Sequence, residues 1–392
     1  MSLSQRASIN SFTLVELLIV IAILAVLAAA VVVVINPAEL LAQARDSQRT
    51  ADMKALNDVI NLLIVDSPST TLGTFQKVYV SIPDTSATCA NITSLPSLPA
   101  GWTYNCVTDS NLKKIDGTGW IPIDLSAIKG GSPVPSLPID PMNDASSLKY
   151  YSFTVDNAGV KYKVQAPIES IRHAANAGND GGIDPSSIEI GTILANAPFI
   201  SGIVGLWKFE EGAGASVIDY SGFGNNLSWT GTGTHYLSGK VGYSGQFNGT
   251  DDYAQGALTA YSQFTVTAII KPNLLGREQH VGDYTATQFY FGSSNKLGTA
   301  SWSTAAGNTL MTTGTWYHIA IVRDSRGVQL YLNGQKDGNL GSLGSSPSTP
   351  FVIGDLPGHG GSYKFNGLID EVTVYRRALS PGEVLASYLA TK

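Results

Sequence analysis

Charge is scarce in this chain: Asp, Glu, Lys and Arg together make up 14% of its 392 residues, and their balance is −6. Without a basic surplus there is no electrostatic footprint for nucleic acid, and no nucleic-acid partner is expected. Histidine is thin as well, five in all, and His235, His280, His318 and His359 are scattered without metal-ligand spacing. The chain lacks a Gly-x-Ser-x-Gly elbow, a His-Glu-x-x-His helix and a phosphate loop. Its adjacent acid pairs, Glu210-Glu211 and Asp370-Glu371, would point to opposite faces of a strand rather than across a scissile bond. No catalytic residue is identified, and the protein is expected not to be an enzyme. Cysteine is nearly absent too: only Cys89 and Cys106 occur.

What the chain does have is one long apolar run, unbroken from Leu17 to Ile35 and preceded by Phe12-Thr13-Leu14-Val15-Glu16. As a helix, residues 12–35 reach about 36 Å, enough to span a bilayer. Arg6 and the amino terminus place the polar leader Met1 to Ser11 in the cytoplasm and the rest of the chain outside. Glu16 is the anomaly, because an ionisable group in such a segment costs on the order of 3 kcal/mol unless partnered. A secretory signal peptide cut after Ala28-Ala29-Ala30 has no need of the apolar stretch Val31 to Ile35, and a plain anchor leaves Glu16 unexplained.

Residues 1–63 resemble the type IV prepilin and type II secretion pseudopilin family, which shares a basic leader, a cut before Phe-Thr-Leu-x-Glu and a long apolar helix. The resemblance implies cleavage by a prepilin peptidase between Ser11 and Phe12, N-terminal methylation, and a new Phe12 amine that neutralises Glu16 of a neighbouring subunit in a filament. Ser11 departs from the glycine the family usually places there. Beyond Pro37, which should kink the helix, Met53, Leu56, Ile60 and Leu63 recur at helical spacing. In the family, that second half of the helix covers a small antiparallel sheet.

From Ser67 to Thr192 the chain is rich in Ser, Pro, Gly and Asp with short alternating runs, Lys77 to Ile82 and Tyr150 to Val155. The second run is expected to pair with Lys161 to Gln165 across Asp156-Gly159. Outside the cytoplasm Cys89 and Cys106 most simply form a disulfide around Trp102 and Tyr104, with a zinc pair as the weaker alternative. Pro138 to Pro141 followed by Tyr150-Tyr151 resembles the loop before the first strand pair of major pseudopilins. Asp180 and Asp184, closely spaced in a Gly-rich loop, are candidate oxygen ligands for calcium, and the resemblance to pseudopilins implies a calcium site in a comparable C-terminal loop; a solvated turn is the competing reading.

After the connector 194–202 the composition turns to Trp, Tyr, Phe, Gly and Thr with dense turn signals, which reads as an all-β sandwich. Leu330 to Gln335 holds an Asn-Gly hairpin turn. Residues 203–388 resemble the laminin G-like, concanavalin A-like jelly rolls through Leu206-Trp207-Lys208-Phe209, Asp219-Tyr220-Ser221-Gly222, Phe247 to Tyr253, Trp316 to Ala320, Tyr331 to Gly334 and Phe365 to Val372. This resemblance implies a structural calcium held by Asp219, Asn225 and Asp370, and a ligand region at Asp251, Asp252 and Tyr253 for which a polar turn is an equal reading. The Glu-x-Asp-x-x-Glu string of hydrolases with this fold does not occur. Trp229, Trp302, Tyr284, Tyr290 and Tyr363 are candidate sugar-stacking residues, against the plainer reading that they fill the core.

The expected architecture is multidomain: a leader (1–11), a long N-terminal helix (12–64, transmembrane at about 12–35), a small α+β pilin-like domain (65–193), a linker (194–202) and an all-β jelly roll (203–392). The expected function is a minor pilin or pseudopilin presenting a lectin-like adhesive head. Its partners would be other pilin subunits, the prepilin peptidase, the membrane, and a carbohydrate or surface ligand. Its precursor would sit in the cytoplasmic membrane and the assembled subunit in a surface filament or the periplasm. A pseudopilin whose head engages exported substrate and a membrane-anchored carbohydrate-active enzyme are the alternatives. Glu16→Ala is expected to enter membranes normally yet appear in sheared filaments about tenfold less or worse; incorporation equal to the native chain, by immunoblot of filament and membrane fractions, would remove this role for Glu16.

Overall fold

The computed structural model describes residues 13–178, 180–194, 201–284, 290–292, 294–299, 305–343, 350–356 and 363–392, giving backbone alone at 28–35, 283, 284 and 291. Helix α1 (Leu14–Ile35) and helix α2 (Pro37–Asp66) replace the single helix expected over 12–64. Asn36 ends one and caps the other in a left-handed conformation, φ 45°, and its side chain accepts the Glu39 N–H. Pro37 has no N–H to give to α1 and a φ suited to a first helical position, so the break falls there.

The described α1 side chains, Leu14 to Leu27, are all exposed, from Leu14 at 80% to Val20 at 45%. Among the described residues no helix is long and apolar enough to cross a membrane.

The body is built on α2, whose Met53, Leu56, Val59, Ile60 and Leu63 are buried. They pack on strands β1 (Lys77–Pro83), β2 (Thr103–Val107), β3 (Ser152–Val155) and β4 (Tyr162–Pro167), on the short helix α3 (Ala174–Gly178) and on strand β5 (Ser187–Gly191). The sheet order is β2-β1-β3-β4-β5. It is not purely antiparallel, since β1 and β2 run parallel. The β3–β4 hairpin forms as expected, Val155 opposite Tyr162, with Asp156 accepting the N–H groups of Val160 and Lys161. Cys89 and Cys106 are disulfide-bonded, Cα to Cα 5.2 Å.

One cation anchors the helix to the loops beside this sheet. Arg49 is fully buried, donating Nε and Nη2 to Asp140 at 2.6 and 2.9 Å and Nη1 to Asp46 at 2.8 Å, with Glu169 also paired to it. Asp46 in turn accepts the Glu169 and Ser170 N–H groups, so every charge has fixed donors.

The head contributes β6 (Ile203–Trp207), β7 (Ser216–Val217), β8 (Leu227–Thr230), β9 (Tyr236–Ser238), β10 (Tyr243–Asn248), β11 (Tyr253–Gly256), β12 (Phe264–Pro272), β13 (Gln279–His280) and β14 (Gly282–Tyr284). Then follow β15 (Tyr290–Phe291), β16 (Leu297–Gly298), β17 (Tyr317–Arg323), β18 (Val328–Leu332), β19 (Gln335–Lys336), β20 (Phe351–Ile353), β21 (Asn366–Tyr375) and helix α4 (Pro381–Ala390). One sheet runs β19-β18-β17-β12-β21-β10-β9, with β6 also pairing β21, and the facing sheet runs β14-β20-β11-β8-β7. Trp207, Phe209, Phe247, Val266, Ile319 and Phe351 lie in the core between them. The Asn333-Gly334 turn joins β18 to β19, with φ 50° and 76° at its two residues.

α4 belongs to both halves. Val384 packs on the outer face of the large sheet with Leu206 and Tyr375, while Ala386 lies in the body core. Removing the buried cation of the body by Arg49→Met leaves Asp46 and Asp140 uncompensated. A loss of about 3–5 kcal/mol is expected in denaturant unfolding of the detergent-solubilised chain; a loss under about 1 kcal/mol would show that the network is dispensable.

Candidate functional site

At its described start, α1 is closed by a reciprocal cap. Thr13 donates its N–H and Oγ1–H to Glu16 Oε2 at 2.9 and 2.7 Å, and Glu16 N–H donates back to Thr13 Oγ1. Within one chain Glu16 is therefore partnered by its own helix start. Ser11 and Phe12 lie outside the described residues.

The calcium candidates are tied to separate stretches of backbone. Asp219 Oδ1 accepts the Leu206 and Ser221 N–H groups, and Oδ2 accepts Ser221 Oγ–H and the Asn225 N–H. Both oxygens thus hold two donors each, and the Asn225 side-chain amide is turned to the Val204 carbonyl. Asp370 lies elsewhere, its Oδ2 accepting the Lys240 and Val241 N–H groups at 3.0 Å. Asp180 accepts from the Gly182 and Glu189 N–H groups, and Asp184 from Ser186 and Ser187. The nearby buried charge is already a cation: Lys163 Nζ donates to Glu189 at 2.9 Å. Among the described residues no group of three or more His, Cys, Asp or Glu could hold a metal ion. With two donors on each carboxylate oxygen, Asp219 does not fit calcium.

Asp251 and Asp252 close loops. Asp251 accepts from Asn248 and Thr232; Asp252 is fully buried and accepts the Gly233 and Asn248 N–H groups. The Tyr253 ring lies under Lys364 Nζ at 4.2 Å. Trp229 is core: it stacks on His235 at 4.4 Å and donates Nε1–H to Tyr236. Trp302, His359 and the Tyr284 side chain lie outside the described residues.

Two of the candidate aromatics do meet. Half-buried Tyr290 stacks on His280 at 5.4 Å, Tyr363 approaches the same ring edge-on at 5.4 Å, and His280 Nε2 is 2.9 Å from Glu278. Arg277 closes this end of the sandwich by donating Nη2–H to the Gly249 and Lys364 carbonyls. Aromatic faces beside a carboxylate and hydrogen-bonding groups suit a sugar ring.

Family models match two parts of the chain: residues 6–32 fit the prokaryotic N-terminal methylation motif, and residues 247–385 fit the concanavalin A-like lectin/glucanases superfamily. The chain joins a methylation motif to a concanavalin A-like domain. No curated protein matches it. Among solved structures it is similar to domain 4 of AbnA, a GH43 extracellular arabinanase from Geobacillus stearothermophilus, in complex with arabinotriose (23% identity, 47% of this chain and 97% of that one, TM-score 0.39). It is similar to the binding domain of Paraclostridial Mosquitocidal Protein 1 (20% identity, 48% and 52%, TM-score 0.38). It is also similar to Trypanosoma rangeli sialidase in complex with sialic acid (14% identity, 61% and 44%, TM-score 0.40). The chain thus spans about half the length of the second and less than half of the third.

In the concanavalin A-like domain, Lys208, Glu371 and the buried His318 line a cavity of about 200 Å³ between head and body, and nothing in the sequence draws the three together. The signal for Glu371 is a bulge. Thr267 faces Thr373 and Ile269 faces Asp370, so Glu371 and Val372 together oppose Ala268. Simple alternation along the strand fails there, and no sequence period announces it.

Burial pushes the Asp370 carboxyl up to about 7, with the Glu371 charge adding to the rise and the Lys240 and Val241 N–H groups opposing it. The unfolded value is near 4, so the folded state binds this proton more tightly. The resulting stability is full below about pH 4 and is lost as pH rises through about 7. Asp370→Asn keeps an acceptor for both N–H groups and removes the titration. It is expected to raise the unfolding midpoint at pH 8, by about 2–4 kcal/mol of stability, and to leave it little changed at pH 4; an unchanged difference between the two pH values would refute the assignment.

Proposed function

We propose that this protein is a pilin-like subunit, anchored in the membrane as a precursor and assembled into a surface filament, that displays a lectin-like head binding carbohydrate rather than hydrolysing it. The observation that carries the reading is the methylation motif at residues 6–32 running into α1, whose described side chains, Glu16 apart, are apolar and exposed on every face. A helix that is apolar all round needs lipid or neighbouring helices around it, and a filament subunit meets both in turn. Display is supported by the seat of α4 in the body core, which makes the head move with the subunit. Binding is supported by the commitment of the head's first acid pair to backbone: Glu210 accepts the Tyr243 N–H and Glu211 the Ile218 N–H.

Mass spectrometry of the mature chain is expected to find Phe12 at the N terminus, bearing one added methyl group. A chain retaining residues 1–11, or cut after Ala30, would overturn the filament reading. The intact chain in detergent is expected to bind a subset of a glycan array without releasing reducing ends; turnover of the bound glycan would replace the adhesin with an enzyme.

A further inference from the structure

The cavity between head and body is a constructed space rather than a packing gap. Ile269, His318, Glu371 and Thr373 come from strands of the head and Lys208 and Val241 from its loops, while Gly182, Ile183 and Pro185 close it from the body. Ser387 of α4 completes a polar wall, so the site exists only where the two halves meet. Its room, about 200 Å³, far exceeds what one water needs.

Two features are costly unless something binds there. His318 is 4% exposed, its Nε2 lies 3.0 Å from Ser387 Oγ, and its Nδ1 has no hydrogen-bond partner. A buried polar atom without a partner forfeits a hydrogen bond's worth of stability. Glu371 holds φ at 48°, a left-handed conformation that glycine adopts freely and a residue with a Cβ rarely does. The bulge thus keeps a carboxylate in the wall at a position where glycine would be cheaper.

We propose that this interdomain cavity binds the terminal ring of a neutral saccharide, with Glu371, Lys208 and His318 reading its hydroxyls. Sugar hydroxyls both donate and accept, which matches an acceptor carboxylate, a donor ammonium, a neutral imidazole and the Thr373 and Ser387 hydroxyls. Val241 and Ile269 offer the apolar wall that a ring's C–H face requires. Lys208 and Glu371 balance in charge, and the Glu210 charge already acts on Glu371, so a carboxylated sugar would add a further negative charge there. The inference rests on the lectin-like reading of the head.

The test titrates the full-length chain in detergent with neutral-terminated oligosaccharides and with uronate- and sialate-terminated ones. Neutral ends are expected to bind at least tenfold more tightly. Glu371→Gly should lower that affinity tenfold or more while leaving the unfolding midpoint unchanged or raised, since glycine suits the backbone there; Lys208→Met should weaken binding in the same direction. Affinity untouched by both but lost in Tyr363→Ala would move the sugar to the Tyr290–His280–Tyr363 end of the sandwich, overturning this site and leaving the lectin reading intact. Preference for acidic ends would overturn the neutral-sugar assignment, and no binding to any saccharide would overturn both readings.

Discussion

The arrangement depends on ten residues that serve two cores at once. α4 begins with a reciprocal cap in which Ser380 N–H donates to Glu383 and Glu383 N–H donates to Ser380 Oγ, with Pro381 at the first helical position. Arg377 grips the same carboxylate through both terminal nitrogens, 2.8 and 3.1 Å, and reaches the Ser201 carbonyl with Nε. Burial alone would raise Glu383, yet the Arg377 and Lys149 charges hold it down at about 2. Gly382 fits because a Cβ there would stand 2.7 Å from the Glu169 carbonyl oxygen. The helix can approach the body this closely only with glycine at that point. Interfaces between domains in one chain usually permit relative motion; here a shared core and a buried ion pair oppose it, and the cavity walls keep their spacing.

Long, strongly periodic segments were readable. The apolar stripe of α2, the β3–β4 hairpin, the Asn333-Gly334 turn and the strands around Val266, Ile319 and Leu330 follow directly from apolar spacing and turn chemistry. Strands that escaped include Ser216–Val217, Leu227–Thr230, Tyr236–Ser238, Gln279–His280 and Leu297–Gly298, each two to four residues long. Pairing with longer neighbours makes them strands, which no local propensity encodes. The parallel β1–β2 pair has the same origin, since register across a disulfide-closed loop is a tertiary property. α4 was legible in principle: Ser380-Pro381-x-Glu383 is a helix-start signature.

Site residues were harder because acids in Gly-rich turns serve two chemistries with one pattern. Asp219-Tyr220-Ser221-Gly222 reads equally as a metal loop or as a side chain tying its own backbone, and the four donors on Asp219 decide for the second. Asp252 repeats the outcome within its own loop. Burial is what makes His318 chemically notable: it holds the imidazole neutral, near 3, with one ring nitrogen unpartnered. Neither fact has a sequence signal, because both arise where α4 and the body close over the outer face of the head sheet.

The same reasoning about partners bears on the opposite end of the chain. A carboxylate at the third position of α1 already lies where a helix start is electrically positive, and Thr13 supplies it with two donors. Cleavage before Phe12 would add an ammonium one residue ahead of that cap, setting a cation against the positive end of its own helix. The unfavourable term is removed if the amine leaves its own helix start for the Glu16 of a neighbouring chain. Each subunit would then be short of an anion until another is added, and the apolar surface of α1 would be covered by the same step. Cap, charge and exposed apolar surface therefore favour the same partner, a second copy of α1.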